Sequence, residues 1–434
     1  MNRELPEAFL NRMHMQLGNE FPAFLLAMDN PPLRGIRYNP LKPEGSEACL
    51  KPEERIPWEE YGWYSDDKEV YGTSIWHEAG AFYIQDPSAM IPVNILKPLP
   101  GENILDLCAA PGGKSTQIGA AMQGRGLLVC NEPVPKRTQI LSRNLERMGV
   151  RNAVAVCAMP DILAEKWPEA FDAVLADVPC SGEGMFRREP DSRDEWTSEQ
   201  AAGCAQRQRE ILRAAAKMVR PGGRLVYSTC TYNPSENEEN IAWFIRENPE
   251  WKKESFRLPE VDGSEGMFTC FPHRTKGEGQ FAALLRKDGN RKTAIRTDGS
   301  IPRPGRMEKD AARQMLPFDP EPNYILGNTL TYLEECPDLK GIKVFRLGLH
   351  LAEIRGKHMV PDHAFAYYAA KQIQRTELRP ENALQYMAGE EVPGTETGWT
   401  VMCYRGMPLG WGKGSNGKIK NHYPKGLWNG RLKL

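Results

Sequence analysis

Between residues 103 and 287 the chain alternates short apolar runs of strand length with longer helical patterns. The runs are NILDL (103–107), GLLVCNE (126–132), AVAVC (153–157), DAVLAD (172–177), GRLVYST (223–229) and QFAALLRK (280–287). Strands alternating with helices imply a doubly wound, mostly parallel α/β sheet. The helix before residues 223–229 is the best marked. Ile211, Leu212, Ala215, Ala216 and Val219 form one apolar stripe, and RPGG (220–223) is expected to end it.

The opening segment, MNRELPEAFLNRMHMQLG, places Leu5, Phe9, Leu10, Met13 and Leu17 among charged positions. It reads as an amphipathic helix rather than a signal peptide. The pattern divides the chain into a small N-terminal domain (1–97), the α/β core (98–288), a polar, basic, Pro/Gly-containing linker (289–308) and a third α+β or β unit (309–434).

Composition narrows the function classes. With 56 Lys+Arg against 57 Asp+Glu the net charge is -1, so the surface is not uniformly basic and any nucleic-acid contact must be local. The ten cysteines are spread singly, with no C-x-x-C pair and no histidine cluster at ligand spacing. This argues against structural zinc and for reduced thiols. No apolar run approaches the roughly 18 residues of a membrane span. The expectation is a cytoplasmic protein without metal or membrane association, acting as a monomer.

ILDLCAAPGGKST (104–116) is a strand ending in an acid, followed by small residues, two glycines and a helix. Such a loop lets backbone approach a ligand at a helix N-terminus. It is not a P-loop, because the position of that motif's first glycine holds Cys108. The second strand ends in Glu132, where doubly wound folds grip ribose hydroxyls. Loop and acid together fit an adenosine-containing cofactor, either a dinucleotide or S-adenosylmethionine, and the lack of G-x-G-x-x-G disfavours the dinucleotide.

Ligands bind beyond the carboxyl ends of the strands in open α/β sheets. The fourth strand delivers Asp177 and Cys180 there in ADVPCSGEGMF, and the fifth delivers Cys230 in STCTYNPSENEEN. Two thiols and a carboxylate beside a cofactor loop form a candidate catalytic group. Either thiol is a candidate nucleophile on this evidence alone.

DLCAAPGGKST, DVPCSGEG and STCTYNPSENEENI, in this order and spacing, resemble the Nop/Sun family of RNA cytosine-C5 methyltransferases. The flanks RGIRYNPLK, FYIQDPSAM, FPHRTKGEGQFAA and KNHYPKGLW are similar to the members acting on bacterial 16S ribosomal RNA. The resemblance implies a Rossmann-like class I methyltransferase core with a C-terminal PUA-like module. It implies S-adenosylmethionine held by Cys108, Ala109, Ala110, Pro111, Gly112, Gly113, Lys114, Glu132 and Asp177, and 16S ribosomal RNA or the small ribosomal subunit as partner. By the same resemblance Cys230 attacks C6 of the base and Cys180 assists release. A transfer RNA methyltransferase and a non-catalytic RNA-binding assembly factor are the alternatives. One position departs from the family: Met159 stands where an acid or amide is usual, leaving a backbone contact there or a substitute at Asp161.

From Val401 onward there are seven basic residues and no acids, interleaved with Tyr404, Trp411, His422, Tyr423 and Trp428. Basic groups with interleaved aromatics suit phosphates and unpaired bases. Arg187 and Arg188 are further expected RNA contacts near the target.

Overall fold

All six expected strands form, as the centre of a nine-stranded sheet. The computed structural model describes residues 4–48, 54–65, 71–291, 295, 297, 299–356 and 358–434. The sheet contains β1 (Asn103–Asp106), β2 (Leu127–Asn131), β3 (Ala153–Cys157), β4 (Phe171–Asp177), β5 (Val219–Thr229), β6 (Met267–Cys270), β7 (Gln280–Lys287) and β8 (Lys343–Leu347). Their order is β6-β7-β5-β4-β1-β2-β3-β8, with Trp251–Lys253 also paired to β7. The strands β1 to β5 run parallel, while β6, β7 and β8 are antiparallel to their neighbours. Their apolar residues are buried on both faces by flanking helices, which is why these strands read as continuous apolar runs. Chain order reverses at β1, which lies between β2 and β4. The crevice at its carboxyl end is therefore where a ligand is expected.

The stripe helix spans Ser198–Met218, and β5 begins at once with Val219. Arg220–Gly223 thus form the irregular start of a strand rather than a helix-ending turn, and the register against β4 shifts there.

Residues 4–97 supply more than a helical cap. Strands Gly62–Ser65, Arg34–Tyr38 and Phe82–Gln85 form an antiparallel sheet beside two leading helices, α1 (Glu7–Leu17) and α2 (Phe21–Met28). Phe9 and Met13 of α1 and Phe24 of α2 are fully buried against Phe186, Trp196, Tyr232 and Phe271. The expected amphipathic helix therefore seals the loops that follow β4 and β5. Arg12 reaches across to the buried Glu183 at 2.7 Å.

The C-terminal region folds as a four-stranded antiparallel sheet and a five-stranded mixed sheet. Between its first strands, β8 leaves to extend the core sheet beyond β3, so the region starting at 309 is not spatially separate from the core. Arg346 of β8 is buried and paired with Glu146 of the core at 2.9 Å. Part of the expected linker lies outside the described residues. Tyr404, Trp411 and Tyr423 are buried in module cores, which corrects their reading as base-stacking residues; His422 is half-buried against Trp399, and Trp428 is 44% exposed. Among the described residues, no helix is long and apolar enough to cross a membrane, and no group of three or more metal-binding side chains occurs.

Candidate active site

The chain between β1 and the helix Gly113–Met122 wraps the end of the sheet. Leu107 N–H donates to Leu175 O, and Ala109 N–H to Asn131 O. Gly112 turns the chain with φ 115°, a conformation closed to most side chains. From outside, Arg137 and Asn144 donate to the carbonyls of Ala110 and Pro111 at 3.1 and 2.9 Å. The loop is thus held from beneath by sheet and from one side by the helix Pro135–Arg147.

Two cavities open on this loop. One, of about 710 Å³, is lined by Cys108, Ala110, Glu132, Val134, Met159, Asp161, Asp177, Cys180 and Cys230. The second, of about 500 Å³, is lined by Ala109, Pro111, Gly113 and Lys114 together with Asp86, Arg188 and Gln280. Cys108, Ala110, Arg137, Asp177 and Cys230 belong to both, so the reactive groups lie where the cavities meet. Of the loop residues predicted from sequence, only Gly112 lines neither.

At that junction Asp177 is held by three side chains and still lines both cavities. Its Oδ2 accepts from Lys114 Nζ at 2.7 Å, and its Oδ1 from Ser228 Oγ at 2.6 Å and Gln280 Nε2 at 3.4 Å. Burial opposes the charge on Lys114. The Asp177 carboxylate outweighs it and, with the nearby Cys230 sulfur, holds the lysine pKa above its ordinary value. Ser228 and Gln280 went unnoticed in the sequence, although Ser228 lies directly across from Asp177 in the β4–β5 register.

The two thiols are in contact, with Cys180 Sγ 3.0 Å from Cys230 Sγ, and both are free. Cys180 Sγ also accepts the backbone N–H of Cys230 at 3.3 Å. The contact with the Cys230 side chain first, and burial second, push the Cys180 thiol well above the usual range. The loops carrying the thiols are pinned together. Gly184 N–H donates to Cys230 O at 2.9 Å, Ser181 Oγ meets Thr231 Oγ1 at 2.8 Å, and Ser181 N–H donates to the carboxylate of Glu236. A side chain at Gly184 would lie 2.5 Å from Gly279 O, so only glycine permits this approach.

Glu132 is buried at the end of β2, beside Arg137 at 3.3 Å and the backbone N–H of Val134. Met159 is 56% exposed at the start of the next helix, and Asp161 lines the same cavity. The residues around the larger cavity fit an adenosine-containing group: a carboxylate for a diol, and the apolar walls of Val134, Pro160 and Ile211 for a purine face. Arg187 corrects an expectation. It is buried and committed to Glu278 at 2.8 Å and to the carbonyls of Ala27 and Gly277, so it braces α2 instead of meeting RNA. Arg188 does line the smaller cavity.

Comparison with known proteins matches this arrangement over almost the whole chain. A ribosomal RNA small subunit methyltransferase F from Klebsiella pneumoniae (strain 342) is 33% identical over 97% of this chain and 96% of its own length. The chain belongs to that family. Family models agree segment by segment: the N-terminal domain of 16S rRNA methyltransferase RsmF over residues 5–87, and 16S rRNA methyltransferase RsmB/F over 93–286. The RsmF rRNA methyltransferase first C-terminal domain matches 310–368, and the methyltransferase RsmF PUA domain 374–428. The region read from sequence as one module thus spans two RsmF domains, in line with its two sheets. Among solved structures, a methyltransferase homolog protein from Pyrococcus horikoshii is 26% identical with a TM-score of 0.55, covering 65% of this chain and all of that one. NSun6 from the same organism, solved with SFG, shares the fold at 23% identity and a TM-score of 0.57, over 66% of this chain and 99% of its own. The expected Rossmann-like class I methyltransferase core and PUA module are both present.

Proposed function

We propose that this RsmF-family protein transfers a methyl group from S-adenosylmethionine to C5 of a cytosine in 16S ribosomal RNA, in the cytoplasm, with Cys230 as nucleophile. The observation carrying this reading is the position of Cys230 at the junction of the two cavities, in contact with a second thiol. The rRNA substrate rests on the names of the family models and curated relatives, which span the N- and C-terminal domains as well as the core.

C5 of cytosine is a weak nucleophile until a thiolate adds at C6 and pushes electrons toward it. When bound, S-adenosylmethionine supplies an electrophilic methyl group. Cys108–Lys114, Glu132 and Asp177 would hold it on the side of the larger cavity, with Met159 contributing backbone and Asp161 a nearby carboxylate. Asp177, held by the Lys114 ammonium, is placed to hydrogen-bond the N3/N4 edge of the base as charge develops. The target cytosine must be unstacked to enter the smaller cavity.

The two thiols then exchange roles. While Cys230 is free, the bond between them keeps the proton on Cys180. Once Cys230 is bonded to C6, the leading cause of that high pKa is gone. Cys180 then gives its proton to solvent water, and the resulting thiolate accepts the proton at C5, directly or through water. Loss of the C5 proton restores the C5–C6 double bond and expels Cys230.

Bisulfite sequencing of ribosomal and transfer RNA, with and without the gene, tests the substrate. An unchanged 16S pattern would overturn it. For the roles, Cys230→Ala abolishes methylation, whereas Cys180→Ala accumulates a covalent protein–RNA band on a denaturing gel. Failure of Cys180→Ala to form any adduct would reverse the assignment.

A further inference from the structure

A third hollow, of about 200 Å³, lies on the outer side of the helix Pro135–Arg147 and is lined by Ile140, Arg143, Asn144 and, from the C-terminal module, Leu427. It adjoins the smaller active-site cavity. Asn144 lines the hollow and donates to Pro111 O, while Pro111 lines the cavity. Arg137, two turns earlier on the same helix, lines the cavity itself and is 51% exposed. Beyond Leu427 stands Trp428, exposed on one face, with Lys425 Nζ 5.9 Å from its ring.

From this continuity we infer that the helix Pro135–Arg147 is a track for single-stranded RNA, leading the segment next to the target cytosine from the active site to Trp428. The inference rests on RNA being the substrate. Three features fit this occupant. The exposed cations Arg137, Arg143 and Lys425 are spaced along one surface, as a phosphate backbone requires. Arg143 is exposed and has no hydrogen bond or ion pair among the described residues, with Glu78 and Tyr423 as its charged and polar neighbours. Ile140, 50% exposed, and Trp428 offer apolar faces between those cations, on which bases of any sequence can stack. The two carboxylates in the hollow do not oppose it, since Glu78 lies beside Arg147 and Arg143 and Glu146 is paired with the buried Arg346.

The test uses the full chain and a fluorescein-labelled oligouridine carrying one central cytosine, with affinity followed by anisotropy across a salt series. Arg143→Gln is expected to weaken binding several-fold and to lower the slope of log K against log salt by about 0.7, the share of one phosphate contact on a single strand. Arg143→Lys restores the slope. Trp428→Ala is expected to cost roughly tenfold, with Trp428→Phe recovering most of it. S-adenosylhomocysteine affinity, measured by calorimetry, stays at the native value in each variant. Unchanged RNA affinity in Arg143→Gln, or a loss matched by S-adenosylhomocysteine, overturns the track and leaves the proposed function standing. Failure of the native protein to bind the oligonucleotide also overturns the track, while the proposed function stands or falls on the bisulfite comparison.

Discussion

Replacing Asp106 with Asn is expected to stabilise the protein by an amount that grows with pH. Asp106 ends β1 beneath the glycine loop and is 1% exposed. Its Oδ2 accepts from Ser115 Oγ at 2.6 Å, while its Oδ1 has no partner among the described residues. Burial, only partly offset by Ser115, raises its pKa from 3.8 to about 7, with the Asp177 carboxylate adding to the rise. The unfolded chain keeps the ordinary value, so between these limits the unfolded state ionises and the native state does not. The stability carried by this group is fully present below pH 3.8 and is lost as pH rises to about 7. Each pH unit in that window costs ~1.4 kcal/mol, so the loss reaches about 4 kcal/mol at neutrality. Asn cannot ionise and keeps an acceptor for Ser115, so the variant escapes the loss. Urea midpoints for variant and native protein, measured from roughly pH 4 to pH 8, give the difference directly, with other titrating groups cancelling. The expected difference climbs through the acid range and flattens above pH 7. A pH-independent difference would refute the reasoning.

Two further outcomes follow from the geometry. Arg187→Ala strips Glu278 of its partner in a pair that is almost wholly buried, so urea unfolding should show a loss of roughly 3–5 kcal/mol. Lys114→Gln removes the cation that holds Asp177 at 2.7 Å beside Cys230. The rate of methyl incorporation should fall by roughly tenfold or more, and an unchanged rate would exclude Lys114 from positioning that carboxylate.

Much of the core was legible because its signals are local. Runs buried on both faces are apolar throughout, and helices between them are striped, so strands β1 to β5 and β7 could be bounded within a few residues. The strand β8 could not. KVFRL is short and carries two cations, and it is a strand only because β3 would otherwise be an open edge of the sheet. Arg187 and the tail aromatics failed for a related reason. Charge and aromaticity are visible in sequence, but whether a partner such as Glu278 buries them depends on distant chain.

At the site, the sequence shows which residues gather but not what distinguishes them. Two cysteines at neighbouring strand ends are equivalent on paper, each following a small or turn-forming residue near a carboxylate or hydroxyl. Their inequality arises from the fold. The Cys230 backbone N–H points at Cys180 Sγ, which also touches Cys230 Sγ, while Cys230 shares its surroundings with the Lys114 ammonium. That asymmetry needs the close backbone approach allowed by Gly184 and Gly279, and the pinning of both loops by Glu183 and Glu236. Glu183 is itself held by Arg12 of α1, so the N-terminal helix helps hold together the loops that carry the two thiols. A change in α1 that releases Glu183 would loosen the thiol pair without touching either cavity.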